Sequence, residues 1–251
     1  MQPYVALKLG KFMDKTKRIA MWSGPRNLST AMMYSFGGRK DSTVVDEPFY
    51  ASYLAKTGIV HPMNNKILGS QFQDPDIVAR QLLAPTDRPI FYQKHMTQHM
   101  VDGVPRDWMA YVINVFLIRH PARVVASYAK KREGPQLDDI GFRQQAELFD
   151  HVIALGQTPI VIDSHDIRYD PEGMMRKLCV AVGLKWDAGM LHWPSGGHAS
   201  DGVWASHWYG AVHRSTGFAD AEDELPVLES DYAEVAAQAM PYYDRLTAVK
   251  L

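Results

Sequence analysis

A three-layer α/β/α fold around a central, mainly parallel five-stranded sheet is what this amino-acid sequence predicts, on three observations. Five short apolar runs recur along the chain, at 18–24, 43–48, 89–95, 113–121 and 158–164. Helix-periodic stretches separate them, the alternation that builds parallel sheets through crossover connections. Runs such as NVFLI (114–118) are apolar without period-two alternation, as strands covered on both faces are.

The elements follow in order. RIAMWSG (18–24) is a buried strand that enters a Gly/Pro turn. The next helix carries Leu28, Met32, Met33 and Phe36 on one face and stops at Gly37-Gly38. TVVDEP (43–48) is a second strand, ended by Pro48. Residues 49–88 are polar and mostly helical. Their clearest helix is DPDIVARQLLA (74–84), with an acidic first turn and Pro near its start. PIFYQKH (89–95) and INVFLIRHP (113–121) are the third and fourth strands. Pro121 opens the helix after the latter, and Lys130, Lys131 and Arg132 finish it, where cations complement the helix dipole. Residues 138–157 read as one long helix with Phe142, Ala146, Phe149 and Ile153 inward. TPIVIDS (158–164) is the fifth strand, and the next helix turns Met175, Leu178, Cys179 and Val182 to one face. Residues 186–230 break the pattern, and 231–247 form a last helix disturbed by Pro241.

Composition bounds the function. The chain has 251 residues, 46% hydrophobic and 22% charged, with 27 Lys plus Arg against 28 Asp plus Glu. So even a balance argues against a coat for nucleic acid or anionic membrane, which needs surplus positive charge. The one cysteine cannot close an internal disulfide. No run approaches the ~18–20 apolar residues of a membrane span. The start, MQPYVALKLGKFMDKTKR, lacks an apolar signal core, so the expectation is a cytoplasmic chain of one domain, 1–251, with no internal linker or repeat.

Ligands of parallel sheets collect at the carboxyl ends of strands, where loops meet helix N-termini. The first such loop is Ser23-Gly24-Pro25-Arg26-Asn27-Leu28-Ser29-Thr30. It offers a small turn residue, a cation and two hydroxyls beside free backbone N–H groups, the parts of a phosphate or sulfate cradle. Read more plainly, it is a strand–helix turn capped by Asn27 or Ser29. It is not a standard triphosphate loop, because GxxxxGK[ST] wants Gly and Lys where Ser29 and Thr30 stand.

The fourth strand repeats the logic in Arg119-His120-Pro121-Ala122-Arg123-Val124-Val125-Ala126-Ser127-Tyr128. Arg123 and Ser127 are four apart and share a helix face, which Lys130 or Lys131 extends. A solvated basic helix end accounts for the last cations but not for Arg119, since a cation at the mouth of a buried strand needs an anionic partner.

Two anion cradles in this order resemble the sulfotransferases that use 3′-phosphoadenosine 5′-phosphosulfate (PAPS). Arg119 and Ser127 reproduce that family's Arg followed eight residues later by Ser, with Pro121 between them. SGPRNLST stands at the 5′-phosphosulfate loop, and IVIDSHDIRYDPEGMMRKLCVAVGL is similar to the family's strand, acidic turn and late helix. The resemblance implies a P-loop-like fold of sulfotransferase type, with PAPS as co-substrate, adenosine 3′,5′-bisphosphate as product and no metal. It implies that Ser23, Gly24, Arg26, Asn27, Ser29 and Thr30 hold the phosphosulfate and that Arg119 and Ser127 hold the 3′-phosphate.

Sulfuryl transfer needs charge neutralised on equatorial oxygens and a base for the acceptor hydroxyl. Glu47 and His95 are the two candidate bases, each at a strand end. Arg26 replaces the lysine common in the family's first loop. Arginine neutralises but does not release a proton, which leaves Lys94 as a candidate donor to the leaving phosphate.

Residues 186–230 hold Trp186, Trp193, Trp204 and Trp208 together with His192, His198, His207 and His213. The spacing matches no usual zinc pattern, and a lid or acceptor wall is the expectation, with Trp204, His207, Trp208 and Tyr209 toward the acceptor. The resemblance makes Arg214 and Ser215 the nearest counterparts of the family's basic 3′-phosphate loop.

Two other readings stay open at this stage. One is a divergent kinase using Mg-ATP, with Asp163 at the end of Ile160-Val161-Ile162 as magnesium ligand; the other is a non-catalytic nucleotide binder. The acceptor, a small molecule bearing a hydroxyl or amine, is not specified, and neither is homodimerisation.

Overall fold

The computed structural model describes residues 16–130, 134–222 and 224–251; Lys131, Arg132 and the N-terminal stretch 1–15 lie outside these. Five parallel strands form one sheet in the order β2-β3-β1-β4-β5: β1 (Lys17–Ser23), β2 (Ser42–Asp46), β3 (Ile90–Met96), β4 (Ile113–Ile118) and β5 (Ile160–Asp163). Each coincides with one of the apolar runs. β1 shows why those runs lack alternation. Ile19 and Met21 enter one core, Ala20 and Trp22 the other, and all four are fully buried.

The first core packs α1 (Ser29–Gly37) and α8 (Pro171–Ala181) on one face of the sheet, through Met32, Met33, Phe36, Met175, Leu178 and Cys179. The second packs α4 (Pro75–Leu82), α6 (Phe142–Ala154) and the end of α11 (Ser230–Thr247) on the other, through Val78, Leu82, Leu148, Phe149 and Leu246. The crossover from β1 outward to β2 runs through α1, while the segments leading to β3, β4 and β5 pack on the opposite face, as right-handed connections require. The connection leaving β1 packs on one face and those leaving its neighbours β3 and β4 on the other, which opens a crevice at the carboxyl ends of the three strands.

The helical expectations need four corrections. The stretch 138–157 is a 3-10 turn (Leu137–Asp139) and then α6, parted by Gly141 at φ 73°. A methyl there would press on Thr97 Oγ1, so the left-handed turn and the close approach both require glycine. Ile153 is 49% exposed, and Val152 is buried instead. The acidic turn before the late helix, α8, is itself a short helix, α7 (Ser164–Tyr169), because Asp170-Pro171 stops the first and caps the second. α11 runs unbroken through Pro241, held by the buried Ala236, Ala239 and Leu246. The stretch 49–88 contains α2 (Tyr50–Thr57), α3 (Asn64–Ser70) and α4. α5 (Pro121–Ala129) starts at the expected proline, with His120 Nδ1 accepting from Ala122 N–H.

The described residues of 186–230 contain a 3-10 turn (Ala188–Leu191) and two short α-helices, α9 (Ala205–Trp208) and α10 (Gly210–His213), and carry core side chains: Trp193 and Trp204 are buried. No helix among the described residues is long and apolar enough to cross a membrane.

Candidate active site

A cavity of about 680 Å³ occupies the crevice. The β1–α1 loop forms its floor: Pro25, Arg26, Asn27, Leu28, Ser29 and Thr30 all line it. Leu28 is the helix N-cap and supplies no side-chain bond, so neither Asn27 nor Ser29 caps α1. Asn27 instead donates to the Leu117 carbonyl at the end of β4, 2.9 Å away, and pins the loop across the sheet. Gly24 is set by packing rather than by the cavity, because a Cβ there would collide with the Ile140 carbonyl oxygen. Ser23 is buried at the end of β1, its hydroxyl on Met96 Sδ.

Arg26 ties the two predicted cradles together. Its Nε donates to Ser127 Oγ at 3.1 Å, and Arg119 Nη1 donates to the Arg26 carbonyl at 2.5 Å. Arg26 adopts φ 56°, a left-handed conformation that costs a non-glycine residue strain. Burial and the adjacent Arg119 charge hold its pKa below the ordinary value, so an anion between these cations would be welcome. Arg119 Nε is buried with no hydrogen-bond partner.

The opposite wall is a buried polar knot. Lys94, 1% exposed, sends Nζ to Asp46 Oδ1 at 2.9 Å, Glu47 Oε1 at 2.5 Å and Tyr209 Oη at 2.8 Å. Its three protons are thereby committed. Burial alone would lower the Lys94 pKa, but Asp46 and Glu47 outweigh it and hold the ammonium above its ordinary value. The same burial pushes Asp46 upward while the Lys94 charge pulls it back. Asp46 Oδ2 also accepts from Gly202 N–H at 3.1 Å. The Tyr209 hydroxyl accepts from Trp204 Nε1 at 3.0 Å and stands within 3.1 Å of both carboxylates. Burial and those charges hold its phenol well above the ordinary range, so Tyr209 stays protonated.

Glu47 lines the cavity from φ 40°, again left-handed. Its backbone N–H donates to the Lys94 carbonyl at 2.9 Å, and Gln71 Nε2 donates to its carbonyl at 3.0 Å. That turn swings the carboxylate into the same space as Asp46. One oxygen faces Lys94, and the other lies 4.0 Å from His99 Nε2.

His95 is elsewhere. It lies on the far face of the sheet, stacked on Trp22 with centroids 4.4 Å apart, and does not line the cavity. Burial, with His99 and Lys94, lowers its pKa to about 3. The cavity imidazole that faces Glu47 is His99, absent from the sequence reading. It is sandwiched between Tyr50 and Tyr53, 4.6 and 4.9 Å away, and its Nδ1 is buried without a partner. Burial and neighbouring positive groups hold it neutral, its pKa well below the usual value.

His207, Trp208 and Tyr209 line the cavity as expected of the 186–230 segment; Trp204 stands behind them and supports Tyr209. Ser215 lines it too, its hydroxyl accepting from Trp193 Nε1 at 3.0 Å, whereas Arg214 is exposed and outside the lining. The cation that does arrive is Arg168 of α7. Asp163 is committed elsewhere: Oδ1 accepts from His165 N–H at 2.8 Å and Oδ2 from Tyr243 Oη at 2.7 Å. Among the described residues no group of three His, Cys, Asp or Glu is placed to hold a metal ion.

A parallel sheet whose β1–α1 loop brings Arg26 against Arg119 and Ser127, facing a buried acid–lysine–tyrosine knot, frames the site. Residues 17–250 match the sulfotransferase domain family, and the chain belongs to that family. The fold is shared with a sulfotransferase from Alicyclobacillus acidocaldarius (TM-score 0.53, 12% identity, 92% of this chain and 94% of that one). It is shared also with the sulfotransferase domain of the curacin biosynthetic pathway (TM-score 0.50, 14% identity, 90% and 98%). Two Arabidopsis thaliana proteins are similar in sequence, branched-chain-amino-acid aminotransferase-like proteins 1 and 2. Each is 32% identical, over 235 and 232 residues, or 93% and 91% of this chain but 42% and 41% of theirs. The chain thus spans less than half the length of these curated relatives.

Proposed function

We propose that this chain transfers a sulfuryl group from PAPS to a hydroxyl or amine of a small acceptor. One observation carries the reading: the Arg26 side chain and carbonyl join the β1–α1 loop to Ser127 and Arg119 around a single cavity that also holds Glu47. Arg26, Ser29, Thr30 and the first N–H groups of α1 hold the phosphosulfate, and Arg119 with Ser127 holds the 3′-phosphate. Glu47 takes the acceptor proton. It is the carboxylate on the cavity wall, whereas His95 is walled off behind β3. A general base in such a position contributes about 10²–10⁴-fold to rate.

Lys94 supplies charge rather than a proton, since Asp46, Glu47 and Tyr209 take its three hydrogens. Its ammonium holds and orients the Glu47 carboxylate. His207, Trp208 and Tyr209 form an aromatic acceptor wall. "Aminotransferase-like" in the relatives' names describes proteins more than half of whose length lies outside the match, so it carries no weight for this site.

Calorimetric titration with adenosine 3′,5′-bisphosphate in EDTA, and with ATP with and without magnesium, tests the donor. The reading expects metal-independent bisphosphate binding that Arg119→Ala abolishes. Binding of ATP alone, and only with magnesium, would overturn it in favour of a kinase.

A further inference from the structure

The side of Glu47 away from the lysine faces a second buried group. Lys94 donates to Oε1, beside which the Tyr209 hydroxyl stands at 3.1 Å, and Oε2 is turned toward His99 Nε2, 4.0 Å away. That separation is too long for a hydrogen bond between the two. It is wide enough for one oxygen atom to stand within about 2.8 Å of both. Glu47 and His99 both line the cavity, so a substrate group can enter the gap.

The orientation and the hydrogen of His99 follow from its surroundings. The ring is 3% exposed and lies between Tyr50 and Tyr53, with interplanar angles of 21° and 25°. Tyr50 is fixed in turn by its hydroxyl, 2.8 Å from His61 Nδ1. Burial, with His61 and Lys94 nearby, keeps the imidazole neutral, so it carries a single N–H. At Nδ1, which is buried without a partner, that N–H would go unsatisfied. Nε2 points at a carboxylate oxygen, which attracts an N–H and repels a lone pair. The hydrogen therefore sits on Nε2.

We infer that His99 Nε2–H and Glu47 Oε2 form a two-point seat for a hydroxyl oxygen, and that this seat makes the chain transfer to hydroxyl groups in preference to amines. The inference rests on the Glu47 reading above and narrows its substrate class. A hydroxyl oxygen has one hydrogen and two lone pairs. It gives the hydrogen to Oε2, accepts from Nε2–H on one lone pair and attacks sulfur with the other. As the new O–S bond forms, the bond from sulfur to the bridging phosphate oxygen breaks. That oxygen leaves with the electron pair, and the proton of the hydroxyl ends on Oε2. A neutral amine nitrogen has one lone pair only. Once that pair attacks, Nε2–H is left buried with nothing to donate to, a cost that falls on the transition state. His99 is thus the residue that tells the two nucleophiles apart.

Release of adenosine 3′,5′-bisphosphate from PAPS on matched alcohol and amine pairs tests it: phenol with aniline, 2-phenylethanol with 2-phenylethylamine, and hexanol with hexylamine, on the wild type and His99→Phe. Phenylalanine keeps the ring between the tyrosines and removes the N–H. Comparing the ratio between the two proteins cancels the intrinsic reactivity of each pair. The alcohol-to-amine ratio of kcat/KM is expected to fall by about ten-fold or more in His99→Phe, the weight of a buried donor satisfied by one substrate and not the other, with bisphosphate affinity retained. Thermal unfolding confirms that the variant is folded. Ring 15N–1H correlation spectra of the wild type, which need no variant kinetics, are expected to show His99 with hydrogen on Nε2. Hydrogen on Nδ1 overturns the inference. Equal loss on alcohols and amines, or no loss on either, overturns it too, and sulfuryl transfer by Glu47 stands. Turnover of no pair by a wild type that binds the bisphosphate overturns the transfer reading and the seat with it.

Discussion

Replacing Lys94 with methionine isolates the electrostatics of the knot. The side chain is 1% exposed and its ammonium meets Asp46, Glu47 and Tyr209 at 2.9, 2.5 and 2.8 Å. Methionine keeps the apolar stem and removes the charge, leaving two carboxylates side by side with Gly202 N–H and the Tyr209 hydroxyl as their remaining donors. Removing one partner of a buried ion pair costs about 3–5 kcal/mol. At about 2–4 °C per kcal/mol for a chain of this size, Tm should fall by about 6–20 °C. The sign with pH follows from the shift. The folded pKa of Lys94 lies above its ordinary 10.5, so its stabilisation is complete below that value and is lost only as pH rises through the folded one. The variant has no such cation, and Asp46, which burial already pushes up, is relieved by protonation. Its deficit relative to wild type should therefore be largest near pH 8 and shrink toward pH 5. Thermal unfolding at both values reads this directly, and Asp46→Asn added to Lys94→Met should recover part of the loss. A deficit under about 1 kcal/mol at pH 8, or one independent of pH, would refute the reasoning.

Two further predictions concern the loop and the buried histidines. Gly24→Ala forces a methyl onto the Ile140 carbonyl oxygen, and the backbone shift should cost about 1–3 kcal/mol and weaken bisphosphate binding, read by unfolding and calorimetry together. His95, with a folded pKa of about 3 against 6.5 unfolded, is neutral in the fold, so stability contributed by its neutrality is whole above pH 6.5 and is lost as pH falls toward 3. Its ring resonances should not titrate between pH 5 and 8; a midpoint in that window would contradict the buried placement.

All five strands and the β1–α1 and β4–α5 turns were legible in the sequence, because apolar runs and Gly/Pro punctuation are local signals. The break in 138–157 was less so. Gly141 sits inside a helix-periodic stretch, and only its contact with Thr97 shows why the backbone must turn there. The two candidate bases could have been separated by periodicity alone. Lys94 and His95 are neighbours on one strand and must face opposite sides of the sheet, so only one could share the crevice with Glu47. His99, a few residues beyond the strand end, was the imidazole to weigh. Arg168 and Glu222 carried no local signature. Glu222 meets both Arg119 at the end of β4 and Arg168 of α7, a juxtaposition that exists in three dimensions alone.

The most direct test of sulfuryl transfer at this site is release of adenosine 3′,5′-bisphosphate from PAPS on a panel of hydroxyl and amine acceptors, with the wild type and Glu47→Gln in parallel. The account predicts acceptor-dependent release that Glu47→Gln slows by about 10²–10⁴-fold, with bisphosphate affinity retained. Release that is equally fast in Glu47→Gln would contradict the assignment of the base. Tight bisphosphate binding without release on any acceptor would make the chain a binder that has kept the fold and lost the chemistry.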